Sequence, residues 1–228
     1  MKISMEDKHK FPRTYHFEWS PGLQSDDKVI TDLSGLLGEE VVATIKMDGE
    51  NSSLYSDYTH ARSLDSRHNF TRDWLKKMHA VLKHQIPDNF ILVGENLWAE
   101  HAIRYPDGYL QGYFYLFSIW ENGDTCLSYD DIVMYADLFD LPMPREIIRG
   151  VFNEDFEKKL KVAASMLNTT LEEGFVVRVT RSFKREDYSR CVAKYVRKGH
   201  VQPNAEHWLK NARQNGSLPM TVKPFFMG

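Results

Sequence analysis

Cysteine is nearly absent from this chain, which contains only Cys126 and Cys191 among its 228 residues. Two cysteines so far apart match no metal-binding spacing and favour a reduced, intracellular protein, so we expect a cytoplasmic location. The sequence also lacks a long apolar run, because its apolar stretches have only the length of strands, and this predicts no membrane span. Residues 1–13 are polar and charged, so we expect no signal peptide.

An excess of positive charge is missing as well. The 29 lysines and arginines are outnumbered by 32 acidic residues, which gives a formal net charge of -3. Any contact with nucleic acid would therefore need a local basic surface rather than attraction to the whole molecule. The nine histidines are scattered without the spacing of a zinc site. What remains is an ordinary globular composition, with 42% hydrophobic and 27% charged residues.

The pattern of apolar residues predicts three helices and six strands. Amphipathic spacing and capping residues indicate helices over 71–86, 129–140 and 154–167. Runs rich in β-branched and aromatic residues predict strands over 40–47, 52–56, 90–98, 112–120, 174–180 and 190–197. We therefore expect an α+β fold of mainly antiparallel sheets with flanking helices. The expected domain spans residues 1–213, followed by a loosely structured tail over 214–228.

Lys46 is the residue that points most directly to chemistry. It follows an apolar run and opens the tetrapeptide Lys46-Met47-Asp48-Gly49. A lysine amine that a strand delivers into a tight turn is suited to attack a nucleotide phosphate, provided that desolvation or a nearby cation removes its proton. Asp48 would shape the turn and hold metal-bound water. The tetrapeptide alone more often marks an exposed lysine before a type I turn, so the interpretation depends on later segments.

Three charged residues adjoin or lie within apolar strands. Glu95 directly follows the run 90–94, and Glu173 directly precedes the run 174–177, so both carboxylates are predicted to face a cleft. A buried carboxylate needs hydrogen bonds or a cation, which a ribose hydroxyl would supply to Glu95 and magnesium to Glu173. For Glu95 an internal salt bridge is the alternative. Lys194 lies inside an apolar strand, where a bound triphosphate would offset its charge.

Further polar and aromatic residues are compatible with nucleotide or RNA binding. Asn51 carries an amide that can donate to a phosphate, although a turn asparagine is the simpler interpretation. Arg62 and Arg67 lie in one loop, and each guanidinium can bind two phosphate oxygens of a nucleotide or of a nucleic-acid end. Phe117 is suited to stacking on a purine, although aromatic residues in a strand usually belong to the core.

These residues occur in the order of a known set of motifs. Lys46-Met47-Asp48-Gly49, Gly94-Glu95, Phe117, Glu173-Gly174 and Lys194 resemble motifs I, III, IIIa, IV and V of the covalent nucleotidyltransferases. That superfamily contains the ATP-dependent DNA and RNA ligases and the mRNA capping enzymes. The asparagine five residues after the lysine and the arginine at 62 look most like the RNA ligase 2 branch, including its small stand-alone members. The resemblance covers nearly the whole chain, from about residue 11 to 210.

The resemblance implies an ATP-dependent RNA ligase built on a nucleotidyltransferase (ATP-grasp-like ligase) domain without an OB-fold domain. It implies ATP and Mg²⁺ (or Mn²⁺) as cofactors, and RNA with 5′-phosphate and 3′-hydroxyl ends as the partner. The reaction would proceed through lysyl-AMP, transfer of AMP to the RNA 5′-phosphate, and joining to the 3′-hydroxyl with release of AMP.

The resemblance also assigns roles by position. It implies that Lys46 is the catalytic residue and that Glu173 and Asp48 bind the metal. It implies that the nucleotide is bound by Ile45, Arg62, Glu95 (ribose), Phe117 (adenine) and Lys194 (α-phosphate). The residues implied to bind the phosphate of the RNA end are Asn51, Arg62 and Arg67.

Three positions depart from the family pattern. Ile45 stands where this branch often has an acid, and Ser118 replaces the acid that commonly follows the motif IIIa aromatic. Val196 stands where a second motif V lysine is usual, and Arg197 and Lys198 are both open as substitutes. Three other functions are also left open. They are a GTP-using guanylyltransferase of the capping type, a DNA-joining ligase, and a catalytically silent RNA-binding relative.

Overall fold

A computed structural model describes residues 3, 8–64, 69–199 and 212–219. Arg67, one of the predicted ligands of the RNA end, lies outside these residues. So does most of the predicted tail, from residue 220 onward.

The three predicted helices are present, and each is shorter than its apolar pattern. They are α1 (Asp73–Leu82), which follows a 3₁₀ turn at Phe70–Arg72, α2 (Tyr129–Leu138) and α3 (Glu154–Ser165). The predicted caps are confirmed, because the side chains of Ser128 and Asn153 accept hydrogen bonds from backbone N–H groups three residues later. Such bonds satisfy donors that the first turn leaves without a partner. Val81, which the helical spacing of the apolar residues would place on the buried face of α1, is exposed.

All six predicted strands are present with bounds shifted by a few residues, and the described residues contain five more. The eleven strands are β1 (Tyr15–His16), β2 (Glu40–Lys46), β3 (Glu50–Leu54), β4 (Thr59–Ala61), β5 (Phe90–Asn96), β6 (Phe114–Glu121), β7 (Thr125–Cys126), β8 (Glu146–Val151), β9 (Gly174–Val179), β10 (Phe183–Lys184) and β11 (Val192–Val196). A single helical turn, α4 (Tyr188–Cys191), and a 3₁₀ turn at Arg185–Asp187 precede β11. The added strands β1, β4, β7 and β10 have two or three residues, too few for an alternating pattern. The fifth, β8, is a half-exposed edge strand with weak alternation.

The strands form two sheets, which confirms the α+β class. One sheet has the order β1-β11-β9-β2-β8, and the other has the order β10-β7-β6-β5-β3-β4. Every pairing between the named strands is antiparallel except that of β1 with β11, which is parallel. One hydrophobic core connects the two sheets, and its largest fully buried side chains include Trp120, Tyr105 and Phe175.

Two glycines allow close backbone contact beside the predicted site residues. A Cβ atom on Gly174 would lie 1.9 Å from the carbonyl oxygen of Tyr195, so only glycine permits β9 and β11 to approach this closely. A Cβ atom on Gly49 would lie 2.5 Å from the carbonyl oxygen of Asn96. Glu173, Lys194 and the turn after Lys46 therefore depend on backbone contacts that a larger residue would push apart.

Residues 212–219, which we call the C-terminal segment, pack against the loop after β5. Gln214 forms an isolated antiparallel bridge with Ala99. The buried amide of Asn215 donates to the carbonyls of Leu97 and Ala99 and accepts from the N–H of Tyr105. This part of the predicted tail is therefore held by specific hydrogen bonds, while the boundary at residue 213 stays a prediction.

No helix among the described residues combines the length and the apolar character that crossing a membrane requires.

Candidate active site

A cavity of about 570 Å³ is bordered by both sheets. Side chains two residues apart project into it from the first sheet, as expected for alternating strand positions. They include Thr44 and Lys46 of β2, Val176 and Arg178 of β9, and Val192, Lys194 and Val196 of β11. The second sheet contributes Asn51, Glu95 and Phe117. The structure thus brings most of the described site residues together around one space, whereas the buried Asp48 is not among the residues that border it.

Lys46 forms an ion pair with Glu173 inside this cavity. Its Nζ lies 2.5 Å from Oε2 of Glu173, whose side chain is 3% exposed, while that of Lys46 is 21% exposed. Burial alone would lower the pKa of Lys46, but the carboxylates of Glu173 and Glu95 outweigh it and raise the pKa above its usual value. Without a bound substrate the amine is therefore held as an ammonium group, which cannot act as a nucleophile.

Glu95 lies beside this pair and is held by the turn that follows Lys46. Its Oε1 accepts a hydrogen bond of 3.1 Å from the N–H of Gly49. Burial raises the pKa of Glu95 to about 8 against the opposing effect of Lys46, and the neighbouring Glu173 and Asp48 raise it further. An ion pair of Glu95, the alternative interpretation of this residue, is not present among the described residues, and Lys46 pairs with Glu173 instead.

Asp48 is buried and fixes the turn after Lys46. Its Oδ2 accepts a hydrogen bond of 2.6 Å from the N–H of Ile103, and its own N–H donates to the hydroxyl oxygen of Tyr105. Tyr105 is in turn bonded to Asn215 of the C-terminal segment. The turn is thus tied to the loop after β5, a support that no local pattern around Lys46 indicated.

A bulge in β6 presents Phe117 to the cavity. The pairing with β5 joins Val93 to Ser118 and Gly94 to Leu116, so Phe117 has no partner in the ladder. A bulge turns neighbouring side chains out of strict alternation, which explains why Phe117 and Ser118 both line the cavity. The Phe117 ring lies edge-on to Phe11 with centroids 5.6 Å apart. Ile45 also borders the cavity, although its side chain is 4% exposed and belongs to the core.

Asn51 and Arg62, the described residues predicted to bind the phosphate of the RNA end, both border the cavity. Within the described residues, the amide oxygen of Asn51 is buried without a hydrogen-bond partner. The neighbouring Glu50 receives two hydrogen bonds from Arg72. The amide oxygen of Asn51 can therefore accept a hydrogen bond when a ligand enters.

The candidates for the missing motif V lysine do not line the cavity. Arg197 donates from Nε to the carbonyl oxygen of Glu172, and Lys198 is exposed. Val196 itself is 4% exposed. Among the described residues, the lysine and arginine side chains that border the cavity are Arg13, Lys46, Arg62, Arg178 and Lys194.

Sequence reasoning missed several cavity residues from the N-terminal part of the chain and from β9. His16 and Asp27 lie next to Lys194, and the 6% exposed guanidinium of Arg178 donates to the carbonyl oxygens of Leu127 and Val179. A two-residue strand and a turn-rich loop carry no periodic signal, so His16 and Asp27 were not recognisable. Arg178 was detectable as a charged residue within an apolar strand.

The acidic side chains of the site suit a hard divalent cation. Asp48 and Glu173 offer oxygen ligands, the type that Mg²⁺ and Mn²⁺ prefer. Over the described ranges, no three histidine, cysteine, aspartate or glutamate side chains are arranged to hold an ion by themselves. A magnesium site commonly combines one or two carboxylates with substrate phosphates and water.

Comparison with solved structures finds the same fold in ligases of low sequence identity. An archaeal ATP-dependent RNA ligase has a TM-score of 0.56 at 16% identity, and the match covers 83% of this chain and 48% of that one. A candidate ATP-dependent DNA ligase from Aquifex aeolicus has a TM-score of 0.54 at 19% identity, covering 82% and 49%. A variant of Naegleria gruberi RNA ligase with ATP and Mn has a TM-score of 0.52 at 15% identity, covering 82% and 58%. The chain thus spans about half the length of the first two structures.

A comparison with curated proteins finds no significant match. The family model of RNA ligases matches residues 39–196, which is more than half of the chain and includes all five motif segments. The protein therefore belongs to the RNA ligase family.

Proposed function

We propose that this protein is an ATP-dependent RNA ligase that forms lysyl-AMP on Lys46 and joins RNA ends. One observation carries the proposal: Lys46 lies in a nucleotide-sized cavity together with Glu95, Phe117, Glu173 and Lys194. Phosphate transfer to an amine needs this combination of a nucleophile, cations and oxygen ligands in one shielded space. Membership of the RNA ligase family supports the same activity.

In the first step, the neutral amine of Lys46 attacks the α-phosphorus of ATP. A P–N bond forms, the bond between the α-phosphorus and the bridging oxygen breaks, and pyrophosphate leaves with that electron pair. Glu173 accepts a hydrogen bond from the amine and is the nearest group to receive its proton. The ion pair with Glu173 must therefore be weakened before attack, because it stabilises the ammonium form.

A divalent cation would be held by Glu173 and Asp48 together with the phosphates. When bound, Mg²⁺ or Mn²⁺ offsets the negative charge of the phosphates and of these carboxylates, which favours the neutral amine of Lys46. The neighbouring Naegleria gruberi structure with ATP and Mn supports this cofactor pair.

The remaining cavity residues would bind the nucleotide. Glu95 accepts a ribose hydroxyl, Phe117 stacks on adenine, and Lys194 binds the α-phosphate, with Arg62 as a second phosphate ligand. Stacking on Phe117 would need the ring to leave its edge-on contact with Phe11 or to use its open face. Ile45 would contribute through its backbone and its apolar surroundings, since its side chain is in the core.

The RNA end would enter beside Asn51, Arg62 and Arg67. In the second step the RNA 5′-phosphate attacks the lysyl-AMP phosphorus, the P–N bond breaks, and Lys46 regains a proton. In the third step the 3′-hydroxyl attacks the activated 5′-phosphate, a phosphodiester forms, and AMP leaves. Such a reaction fits a cytoplasmic protein, as the two buried, unpaired cysteines also suggest.

The test is the covalent intermediate. Purified protein incubated with ATP and magnesium is expected to gain the mass of one AMP, and Lys46→Ala should gain none. Lys83→Ala, a change of the same type at the end of α1, should behave as wild type. Parallel incubation with labelled GTP separates a capping-type enzyme from a ligase, because lysyl-GMP without lysyl-AMP would contradict the proposal.

Strand joining needs its own measurement. Defined 5′-phosphate RNA and DNA substrates, nicked and single-stranded, are incubated with the protein, ATP and magnesium. Joined RNA is expected, and chelation of the metal by EDTA should abolish both joining and lysyl-AMP formation. Joining of DNA alone would favour a DNA ligase, and lysyl-AMP without any joined product would show that the substrate class is wrong.

A further inference from the structure

We propose that His16 and Asp27 are positioning residues that orient the ammonium group of Lys194 in the cavity. A chain of polar contacts links the backbone of Val196 through Ser20, His16 and Asp27 to Lys194. The inference extends the proposed function and rests on it, because Lys194 is there assigned to the α-phosphate of ATP.

The parallel pairing of β1 with β11 places His16 beside Lys194. Their registers match directly, His16 with Lys194 and Tyr15 with Ala193. Partners in register project to the same face of a sheet, so both side chains enter the cavity. The backbone of His16 is also bonded to Lys28 and Ile30, which brings the intervening loop over the same face.

The Ser20 hydroxyl lies between His16 and the backbone of Val196, whose carbonyl oxygen, 3.3 Å away, is a second acceptor for its proton. The Ser20 hydroxyl oxygen accepts from the N–H of Val196 at 2.9 Å and lies 2.9 Å from Nδ1 of His16. Burial, followed by the charge of Lys194, lowers the pKa of His16 to about 4, so the ring is neutral at neutral pH. Nε2 of His16 lies 3.1 Å from Oδ2 of Asp27 without the geometry of a hydrogen bond. A proton on Nε2 is the tautomer that this proximity favours, because an unprotonated Nε2 would direct its lone pair at the carboxylate.

The two carboxylate oxygens of Asp27 have different neighbours. Its Oδ2 receives the N–H of Gln24 at 3.1 Å in addition to the His16 contact. Its Oδ1 lies 3.7 Å from Nζ of Lys194. The side chains of Asp27 and Lys194 are 19% and 18% exposed, so the pair is largely shielded from solvent. The distance is long enough for Lys194 to turn toward a phosphate without breaking the rest of the chain of contacts.

The charges around Lys194 show why a nearby carboxylate matters for its ammonium group. Burial lowers the pKa of Lys194, and the neighbouring cations Lys46 and Arg62 lower it further. Asp27 and Glu173 act in the opposite direction, but Glu173 is already paired with Lys46. Asp27 is therefore the carboxylate that favours the charged form of Lys194 and is not already paired with Lys46, and the neutral ring of His16 lies against that carboxylate.

The decisive variant is Asp27→Asn, which preserves shape and removes charge. The rate of lysyl-AMP formation is measured against pH at saturating and subsaturating ATP. We expect the alkaline limb of the profile to move to lower pH by about one unit, because an opposite charge at this range shifts a pKa by about 1–3 units. Asp27→Glu should restore the limb toward wild type. Asp32→Asn removes the same charge from an exposed site outside the cavity and should leave the profile unchanged.

A second measurement needs no activity. Nitrogen-15 spectra of histidine-labelled wild-type protein should show neutral His16 with the proton on Nε2, and titration of labelled lysines should show a lower pKa for Lys194 in Asp27→Asn. A proton on Nδ1, or an unchanged Lys194 pKa, would overturn the inference.

The two proposals fail in different ways. Wild-type protein that never forms lysyl-AMP would overturn the proposed function and the catalytic part of this inference. Active wild-type protein whose Asp27→Asn variant has the same pH profile would overturn the inference alone. A uniform loss of activity in Asp27→Asn without a shift of the limb would also contradict it, since that result indicates a structural role.

Discussion

At the scale of single residues, the site contains more acid than its lysines can neutralise locally. Lys46 is paired with Glu173, while Glu95 and Asp48 lie close enough to influence both. Such an arrangement stores unfavourable carboxylate repulsion, which a cation and a ribose hydroxyl would relieve on binding. The raised pKa of Glu95 is the most accessible sign of this repulsion.

The first prediction concerns Glu95→Gln and the stability of the protein without ligands. The pKa of Glu95 is raised from its usual value of 4.5 to about 8, so its contribution to stability is fully present below about pH 4.5 and is lost as pH rises through 8. Glutamine cannot ionise and avoids this loss. The melting temperature of Glu95→Gln should therefore exceed that of wild type at pH 9 and differ little at pH 5.

Thermal melts at both pH values measure this difference. The exposed Glu186→Gln is the control, and its melting temperature should follow wild type throughout. An equal difference between Glu95→Gln and wild type at pH 5 and pH 9 would contradict the assigned pKa shift.

At the scale of elements, the site depends on how closely strands approach one another. The bulge in β6 turns Phe117 toward the cavity, and the close pairing of β9 with β11 supports Lys194 on β11 and Glu173 directly before β9. Both features are backbone geometry. They are therefore more sensitive to an added methyl group than to a change of charge.

The second prediction is that Gly174→Ala destabilises the protein. Its Cβ would meet the carbonyl oxygen of Tyr195, which belongs to the backbone and cannot move aside cheaply. Overpacking of this kind costs about 1–3 kcal/mol, and urea unfolding should show a loss in that range. Gly150→Ala is the matched change on β8, where the nearest atoms are 3.3 Å away in the Phe156 ring, so its loss should be smaller. Equal midpoints for the two variants would argue against the close approach.

At the scale of the whole molecule, segments far apart in the chain support the site from two sides. The C-terminal segment bonds to the loop after β5, and that loop bonds to Asp48. The N-terminal segment reaches the opposite side of the cavity through His16 and Asp27. Both ends of the described chain thus support a site whose motifs all lie between residues 46 and 194.

The third prediction is that Asn215→Ala weakens both stability and adenylylation. The change leaves the carbonyls of Leu97 and Ala99 and the N–H of Tyr105 without their partner, and a buried polar group left in this way costs about 1–3 kcal/mol. Slower lysyl-AMP formation should accompany the loss, because Tyr105 also holds the turn at Asp48.

Unfolding by urea and the initial rate of lysyl-AMP formation measure the two effects. Arg213→Ala alters an exposed side chain in the same segment, whose carbonyl alone is used, and should resemble wild type in both assays. A stable Asn215→Ala variant would disprove the anchoring role. A destabilised variant with an unchanged rate at low temperature would disprove the link to the turn.

The sequence was sufficient for the elements with long, regular patterns. The helices over Tyr129–Leu138 and Glu154–Ser165 were recognisable from their caps and apolar spacing. Strands such as Phe90–Asn96 were recognisable from continuous β-branched and aromatic runs. The short strands were missed because two residues cannot show a period, and β8 was missed because an edge strand alternates weakly.

The sequence by itself determined which residues form the motifs, because a nucleophile, its turn and the strand-adjacent charges are each encoded within a few consecutive positions. Lys46, Glu95, Glu173 and Lys194 were selected in this way, and the structure brings them together. Only the tertiary structure decided what surrounds them. The pairing of residue 16 with residue 194, the contact of Asn215 with the loop after β5 and the bulge at Phe117 arise from long-range packing. No local pattern records such contacts, since their free energy is gained only when segments far apart in the chain meet.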